Sequence, residues 1–317
     1  MKSSHFILMF LHKIFEHFTS IPQRSDIIED PDIISDMIYN AINSKSPFMI
    51  SRFGAVEISA LTNYTGVVNS KHDIWGYITG KKPQWWWNEG IRFCMQNNAG
   101  FFPATDGMLL KFGELMMKDI KEIDLLASWQ KNEIYFSEQL VNTKYFKFIY
   151  LDPFWAKRPW TRGLKGKKVL VVHPFEQEIR DQYLNRKKLH KDPDILPDFD
   201  LFTIKAVQSI GGNSQYKNWF EALEHMKNEI DKIDYDICLI GCGAYGLPLA
   251  AHVKRNGKIA IHFGGSLQLL FGIKGKRWET TKYGNGKYPE LINEYWIRPY
   301  SNSKFKGANN VEGGCYW

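Results

Sequence analysis

From residue 30 onward, short apolar runs alternate with stretches in which apolar side chains recur every three or four positions. Runs of four to six apolar residues are the mark of strands covered on both faces, and the three-to-four spacing is the mark of helices with one buried side. The pattern predicts helices over 31–44, from 55 through 62 onward, and over 85–97, 107–122, 175–186, 219–233 and 244–255. It predicts strands over 48–52, 147–151, 168–172, 201–204, 236–240 and 259–263. Such alternation implies an α/β fold of Rossmann-like type, a mainly parallel sheet with helices on both faces. A linker around Pro22 divides the chain into an N-terminal amphipathic helix or tail, 1–22, and a single domain, 23–317. No internal repeat interrupts this order. The stretch 300–317 is rich in glycine and asparagine and reads as irregular, although Cys315, Tyr316 and Trp317 are apolar enough to dock.

The first helix has its own pattern. Phe6, Ile7, Phe10, Leu11, Ile14, Phe15 and Phe18 fall on one wide apolar face, with His12, Lys13 and Glu16 elsewhere on the turn. The apolar stretch is too short and too interrupted to span a bilayer. No clean small-residue cleavage site follows it. Two readings stand side by side: a helix packed on the domain, or an anchor lying in a membrane interface.

Composition narrows the partners. The chain has 317 residues, 44% of them hydrophobic, enough for a full core. Its 41 basic and 34 acidic side chains leave a net charge of +7. That suits anionic ligands such as nucleotides, phospholipids or polyprenyl phosphates. No dense Lys/Arg run marks a nucleic-acid stripe, so nucleic acid is not an expected partner. Cys94, Cys238, Cys242 and Cys315 form no C-x-x-C pair, which argues for reduced thiols in a cytoplasmic protein rather than a zinc site. Aromatic residues make up 15% of the chain. The cluster Trp85, Trp86 and Trp87 can stack on a sugar acceptor or fill a core.

Four loops at predicted strand ends carry polar or glycine-rich sequence. After the strand 48–52, Arg52 can pair with a phosphate, Gly54 turns the chain, and Glu57 sits in the first helical turn as a base or metal ligand, or simply as a carboxylate favoured by the helix dipole. After 168–172, His173 precedes Pro174 and can donate to a phosphate, transfer a proton, or be a structural histidine. After 201–204, Ser209 and Asn213 flank two glycines and suit ribose or phosphate contacts. After 236–240, Gly241, Gly243 and Gly246 form G-x-G-x-x-G, with Tyr245 inside it, and the next strand ends His262-Phe263-Gly264-Gly265. A dinucleotide site wants an acidic residue at that strand end to grip the ribose, and none is there. The convergence of these loops on one cleft says more than any one of them. A phosphate-bearing ligand at the carboxyl ends of the strands is the expectation.

The S-R-F-G-x-x-E of 51–57, the H-P-F turn of 173–175, the G-C-G-A-Y-G-L-P-L-A-A-H of 241–252, and the H-F-G-G and F-G-I-K-G-K-R-W that follow resemble the GT-D-type glycosyltransferases of bacterial surface-polysaccharide and glycoprotein assembly. The resemblance runs from about residue 30 to the end. It implies a cytoplasmic enzyme, working at the inner face of the membrane if the first helix is an anchor. Such an enzyme moves a sugar from a nucleotide-sugar, UDP-linked, to a glycan or polyprenyl-phosphate-linked acceptor. It implies catalytic roles for Arg52, Glu57 and His173. It places the nucleotide-sugar against Gly54, Ser209, Asn213, Gly241, Gly243, Tyr245, Gly246, His262, Gly264, Gly265, Lys274 and Arg277. The family's first-strand motif is R-F-G-D-G-E, whose two carboxylates serve a divalent metal, Mn²⁺ or Mg²⁺. Here Ala55 stands where the aspartate is expected, which leaves Glu57 as the one motif ligand and puts metal dependence in question. Lys274, Lys276 and Arg277 are candidates to neutralise the leaving diphosphate instead. The alternatives are a catalytically inactive sugar- or nucleotide-binding subunit, and a Rossmann oxidoreductase or methyltransferase.

Overall fold

A computed structural model describes residues 3–18, 24–212, 214–304 and 314–317. Among them, eight strands form one sheet: β1 (Ile27–Ile28), β2 (Phe48–Ser51), β3 (Leu125–Ser128), β4 (Lys144–Lys147), β5 (Lys168–His173), β6 (Asp200–Lys205), β7 (Ile237–Ile240) and β8 (Ile259–His262). Their order is β1-β4-β3-β2-β8-β7-β5-β6, and every pairing is parallel. The α/β class read from the apolar runs is therefore the observed one.

Alternation along each strand feeds two cores. Met49, Leu126, Leu170, Val172, Cys238, Ile240 and Ala260 face one side. There they meet residues of the helices Ala55–Val68, Asp106–Asp119, Trp219–Asp231 and Gly246–Arg255. Ile50, Leu125, Ala127, Val169, Val171, Ile237, Leu239, Ile259 and Ile261 face the other side, toward Pro31–Asn43 and Glu176–Leu184. A parallel sheet needs this double cover, which is why its strands read as unbroken apolar runs.

The strand order sets the place of the cleft. β5 leads outward to β6, whereas its neighbour β7 leads the opposite way to β8. The loops at their carboxyl ends diverge, and a crevice opens between them.

Three sequence expectations are corrected. The strand expected over 147–151 lies earlier, at Lys144–Lys147, and Phe148–Leu151 is a 3-10 turn. Its last carbonyl is taken by the Trp160 indole N–H at 2.9 Å, not by a strand neighbour. The helix expected over 85–97 begins only at Glu89. The Asn63 side-chain amide claims the carbonyls of Gln84 and Trp86, at 3.3 and 2.8 Å, so the three tryptophans stay outside the helix until Asn88 caps it. The short strands β1 and β3 were not expected at all.

Candidate functional site

The predicted strand-end loops meet around a cavity of about 340 Å³. Arg52, Gly54, Glu57, His173, Ser209, Gly241, Gly243, Tyr245, Gly264, Gly265 and Arg277 all line it. Gly246, His262 and Lys274 are not among its lining residues, and Asn213 lies outside the described residues.

β2 delivers Arg52 to the floor of the cleft. Its guanidinium lies over the rings of Trp129 and Phe148, at 5.1 and 5.3 Å, and its Nε has no hydrogen-bond partner among the described residues. No carboxylate of those residues comes within ion-pair distance. Burial pushes the guanidinium below its ordinary pKa and the nearby Arg277 adds to the push, while Glu57, Tyr316 and Asp152 oppose it. Two guanidinium groups facing one cavity, one of them half-buried with no ion-pair partner among the described residues, create a strong local demand for an anion.

Glu57 is the one carboxylate lining the cavity among the described residues. It occupies the third position of the helix Ala55–Val68, whose cap, Gly54, offers no side-chain bond. The carboxylate folds back over Gly54 so closely that a Cβ there would lie 1.8 Å from Oε2. The G-x-x-E spacing is thus a packing requirement as well as a turn. Burial raises the Glu57 carboxyl above its ordinary pKa, with its own backbone N–H and Arg52 pulling it down. A single carboxylate beside two guanidinium groups does not fit a protein-held divalent ion, which wants several hard oxygen ligands. No cluster of three or more His, Cys, Asp or Glu suited to a metal occurs among the described residues.

β5 ends at His173. The Phe175 N–H donates to its Nδ1 at 3.0 Å, so the neutral ring carries its proton on Nε2. Burial lowers its pKa to about 3. At neutral pH this histidine is a hydrogen-bond donor, not an acceptor of protons from substrate. Gly241 brings the turn after β7 against it: a Cβ there would lie 2.8 Å from His173 Cδ2 and 2.7 Å from the Gly264 carbonyl.

Four candidates are held in contacts within the fold. The Ser209 hydroxyl donates to the Gly100 carbonyl at 2.6 Å and bonds the Tyr245 hydroxyl at 2.7 Å, while the Tyr245 ring stacks on Trp219. Ser209 and Tyr245 thus hold the cleft wall. His262 is buried, its Nδ1 3.0 Å from Ser51 Oγ, and its ring fills the space where a Cβ on Gly246 would lie 2.2 Å from Nε2. It ties β2, β8 and the helix Gly246–Arg255 together. Lys274 lies 4.0 Å from Glu279, in an ion pair away from the cavity.

Sequence reasoning missed the aromatic wall. Trp129 is fixed by its indole N–H to the Phe53 carbonyl at 2.8 Å. Tyr316 lies under the Arg277 guanidinium, 4.8 Å from it. Tyr283, Gln268 and Trp317 complete this side. Apart from Gln268, on the four-residue helix Leu267–Leu270, these residues come from irregular segments, where no periodicity points inward. Asp152, buried behind the site, was missed for the same reason. It accepts from the Tyr288 hydroxyl and is pushed up to about 6 by burial, against the hydrogen bonds of Tyr288 and Ser266 and the charge of Arg52.

The segment that carries β5 through β8 and their loops is the part of the chain that matches a known domain. Residues 156–270 match the model of the GT-D fold-like domain. This is the family whose motifs the sequence resembles, and the GT-D-like segment contributes the His173, Ser209, Gly241 and Gly264 walls of the cleft. Two solved structures of domain of unknown function 1792, one described as having a distinct glycosyltransferase fold, are similar at 12% identity. They cover 93% of this chain and 96% of their own, with TM-scores of 0.40 and 0.41. An overlap that loose leaves the GT-D-like reading to the domain match over 156–270. No curated protein matches the chain.

Proposed function

We propose that the cleft binds a UDP-linked sugar and transfers the glycosyl group to a glycan or polyprenyl-phosphate-linked hydroxyl in bacterial surface-polysaccharide synthesis, in the cytoplasm. The observation that carries this is that the half-buried Arg52 and Arg277 line one cavity with the single carboxylate of Glu57, at the carboxyl ends of β2, β5, β7 and β8. A glycosyl donor leaves as a diphosphate, and the charge that develops on it needs fixed cations and amides. Arg52 and Arg277 supply the cations. The turns at Gly241 and Gly264 and the N-terminus of the helix Ala55–Val68 supply N–H groups. The acceptor oxygen bonds to the anomeric carbon as the carbon–oxygen bond to the diphosphate breaks. The electron pair stays on the diphosphate, and the acceptor proton passes to Glu57. A raised carboxyl pKa makes Glu57 a better base than a solvated carboxylate, provided it is ionised. His173, neutral with its proton on Nε2, donates to a phosphate oxygen.

The absence of a second motif carboxylate, with Ala55 in its place, favours one other reading: a subunit that binds the nucleotide-sugar without turning it over.

Binding and turnover are measured separately. UDP should raise the melting temperature, with or without chelator, and NAD or S-adenosylmethionine should not. Arg52→Ala should weaken UDP binding by about 2 kcal/mol or more, the cost of removing one partner of a buried charged contact. An unchanged Kd removes Arg52 from the site. UDP binding with no hydrolysis or transfer of any UDP-sugar selects the second reading.

A further inference from the structure

The helix Ser3–Phe18 is mounted with its apolar face outward. Its inner side is held by ring and polar contacts. His5 stacks on Trp86 at 4.1 Å, His12 stacks on Tyr77 at 4.8 Å, and the His12 Nδ1–H donates to the Tyr77 carbonyl at 2.7 Å. Phe6, Ile7, Phe10, Leu11 and Ile14 point away, with Phe6 66% and Phe10 58% exposed. Ile74 and Trp75 of the adjoining helix Ile74–Ile78 extend the patch, Trp75 being 66% exposed. Apolar burial alone would turn the helix over, so a face built this way is meant to be covered.

The charges around it say by what. Lys13 on the same helix, Lys71 before the second helix, and Lys81 and Lys82 after it are all exposed. The backbone N–H groups of Lys81 and Lys82 both donate to the Gly76 carbonyl, which keeps these lysines beside the patch. Asp73 turns its carboxylate onto the Gly76 N–H at 2.7 Å. A two-fold pairing of copies would set these cations against their own images. An anionic lipid surface would meet them with opposite charge, and Trp75 suits the headgroup level. No helix of the described residues is long and apolar enough to cross a membrane.

We infer that the face Phe6–Ile7–Phe10–Leu11–Ile14, with Ile74 and Trp75, lies in the interface of an anionic membrane, with Lys13, Lys71, Lys81 and Lys82 as its cationic rim. This stands whether or not the cleft transfers sugar. The test is co-sedimentation of the full chain with vesicles of phosphatidylcholine alone, or of phosphatidylcholine with phosphatidylglycerol. The wild type should pellet with the anionic vesicles. Phe6→Asp with Phe10→Asp should weaken that binding by about tenfold or more with an unchanged melting temperature. Lys81→Glu with Lys82→Glu should abolish the preference for anionic lipid. The inference is overturned if the wild type ignores anionic vesicles or if the double aspartate variant binds them as the wild type does. It is equally overturned if light scattering shows a dimer that this variant dissolves while vesicle binding is absent.

Discussion

Gly54 and Glu57 act as one unit. The backbone at Gly54 is ordinary, with φ −74°, so alanine fits the chain conformation there. What alanine cannot do is share its Cβ position with the Glu57 carboxylate. Gly54→Ala should therefore cost no more than about 1 kcal/mol of stability, the difference between alanine and glycine at a helix N-cap. It should lower sugar-transfer turnover about 100-fold or more, the usual contribution of a positioned base, with UDP affinity nearly unchanged. Steady-state kinetics beside calorimetric titration separate the two, and a variant with normal turnover would remove Glu57 from the role of base. Residue-level reading of the sequence singles out Arg52, Gly54 and Glu57 because they sit where a strand ends in a glycine turn, but it does not show that Glu57 packs over Gly54. It also singles out His262 and Ser209, which stand in equally suggestive positions but are hydrogen-bonded within the fold. Their hydrogen bonds go to Ser51 and to Gly100 and Tyr245, partners remote in the chain and invisible to spacing.

At the scale of elements, the wall made by 314–317 matters most. The Arg277 N–H donates to the Cys315 carbonyl at 3.0 Å, and Trp317 packs edge-on to Phe175. The expected docking of Cys315, Tyr316 and Trp317 is thus observed, although nothing in the sequence said that it would complete the cleft. Tyr316→Ala removes both the ring beneath Arg277 and the hydroxyl that its Nη1 reaches at 3.3 Å. UDP affinity should fall about tenfold, the range of a partly desolvated cation–π contact, and titration calorimetry would show it. Unaltered affinity would mean that Arg277 is held without this wall. Long elements with strong periodicity were legible. β3 was not, because its four residues, Leu125–Ser128, follow a 3-10 turn after only two intervening residues and carry no period of their own. β4 was misplaced because its neighbour Phe148–Leu151 is just as apolar, and an apolar run does not distinguish strand from buried turn.

For the whole molecule, buried histidines set the response to acid. His173 and His262 are both held neutral by burial, each with a pKa of about 3. In the unfolded chain each takes a proton near pH 6.5. Between those values the unfolded state binds more protons at these two sites, so their contribution to stability falls as the pH drops. Asp152, raised to about 6, works in the opposite sense below that pH, because there the folded state holds the extra proton. His262→Gln should be less stable than the wild type at pH 7 and should lose less stability between pH 7 and pH 5. Urea unfolding at the two pH values tests this. An identical slope in the variant would show that His262 is protonated in the folded protein.

The seam between β2 and β8 joins Phe48 to Ile259 and Ile50 to Ile261. During synthesis, β2 emerges early, and its bare edge has no neighbour on that side until the last strand leaves the ribosome. At ~5–20 residues per second that interval is tens of seconds. Through that time the nascent chain offers an apolar, unpaired strand edge, the kind of template that chaperones cover and aggregates copy. Arg52 and Gly264 also meet only when this seam closes, so a truncated chain has no cleft in which to trap a nucleotide.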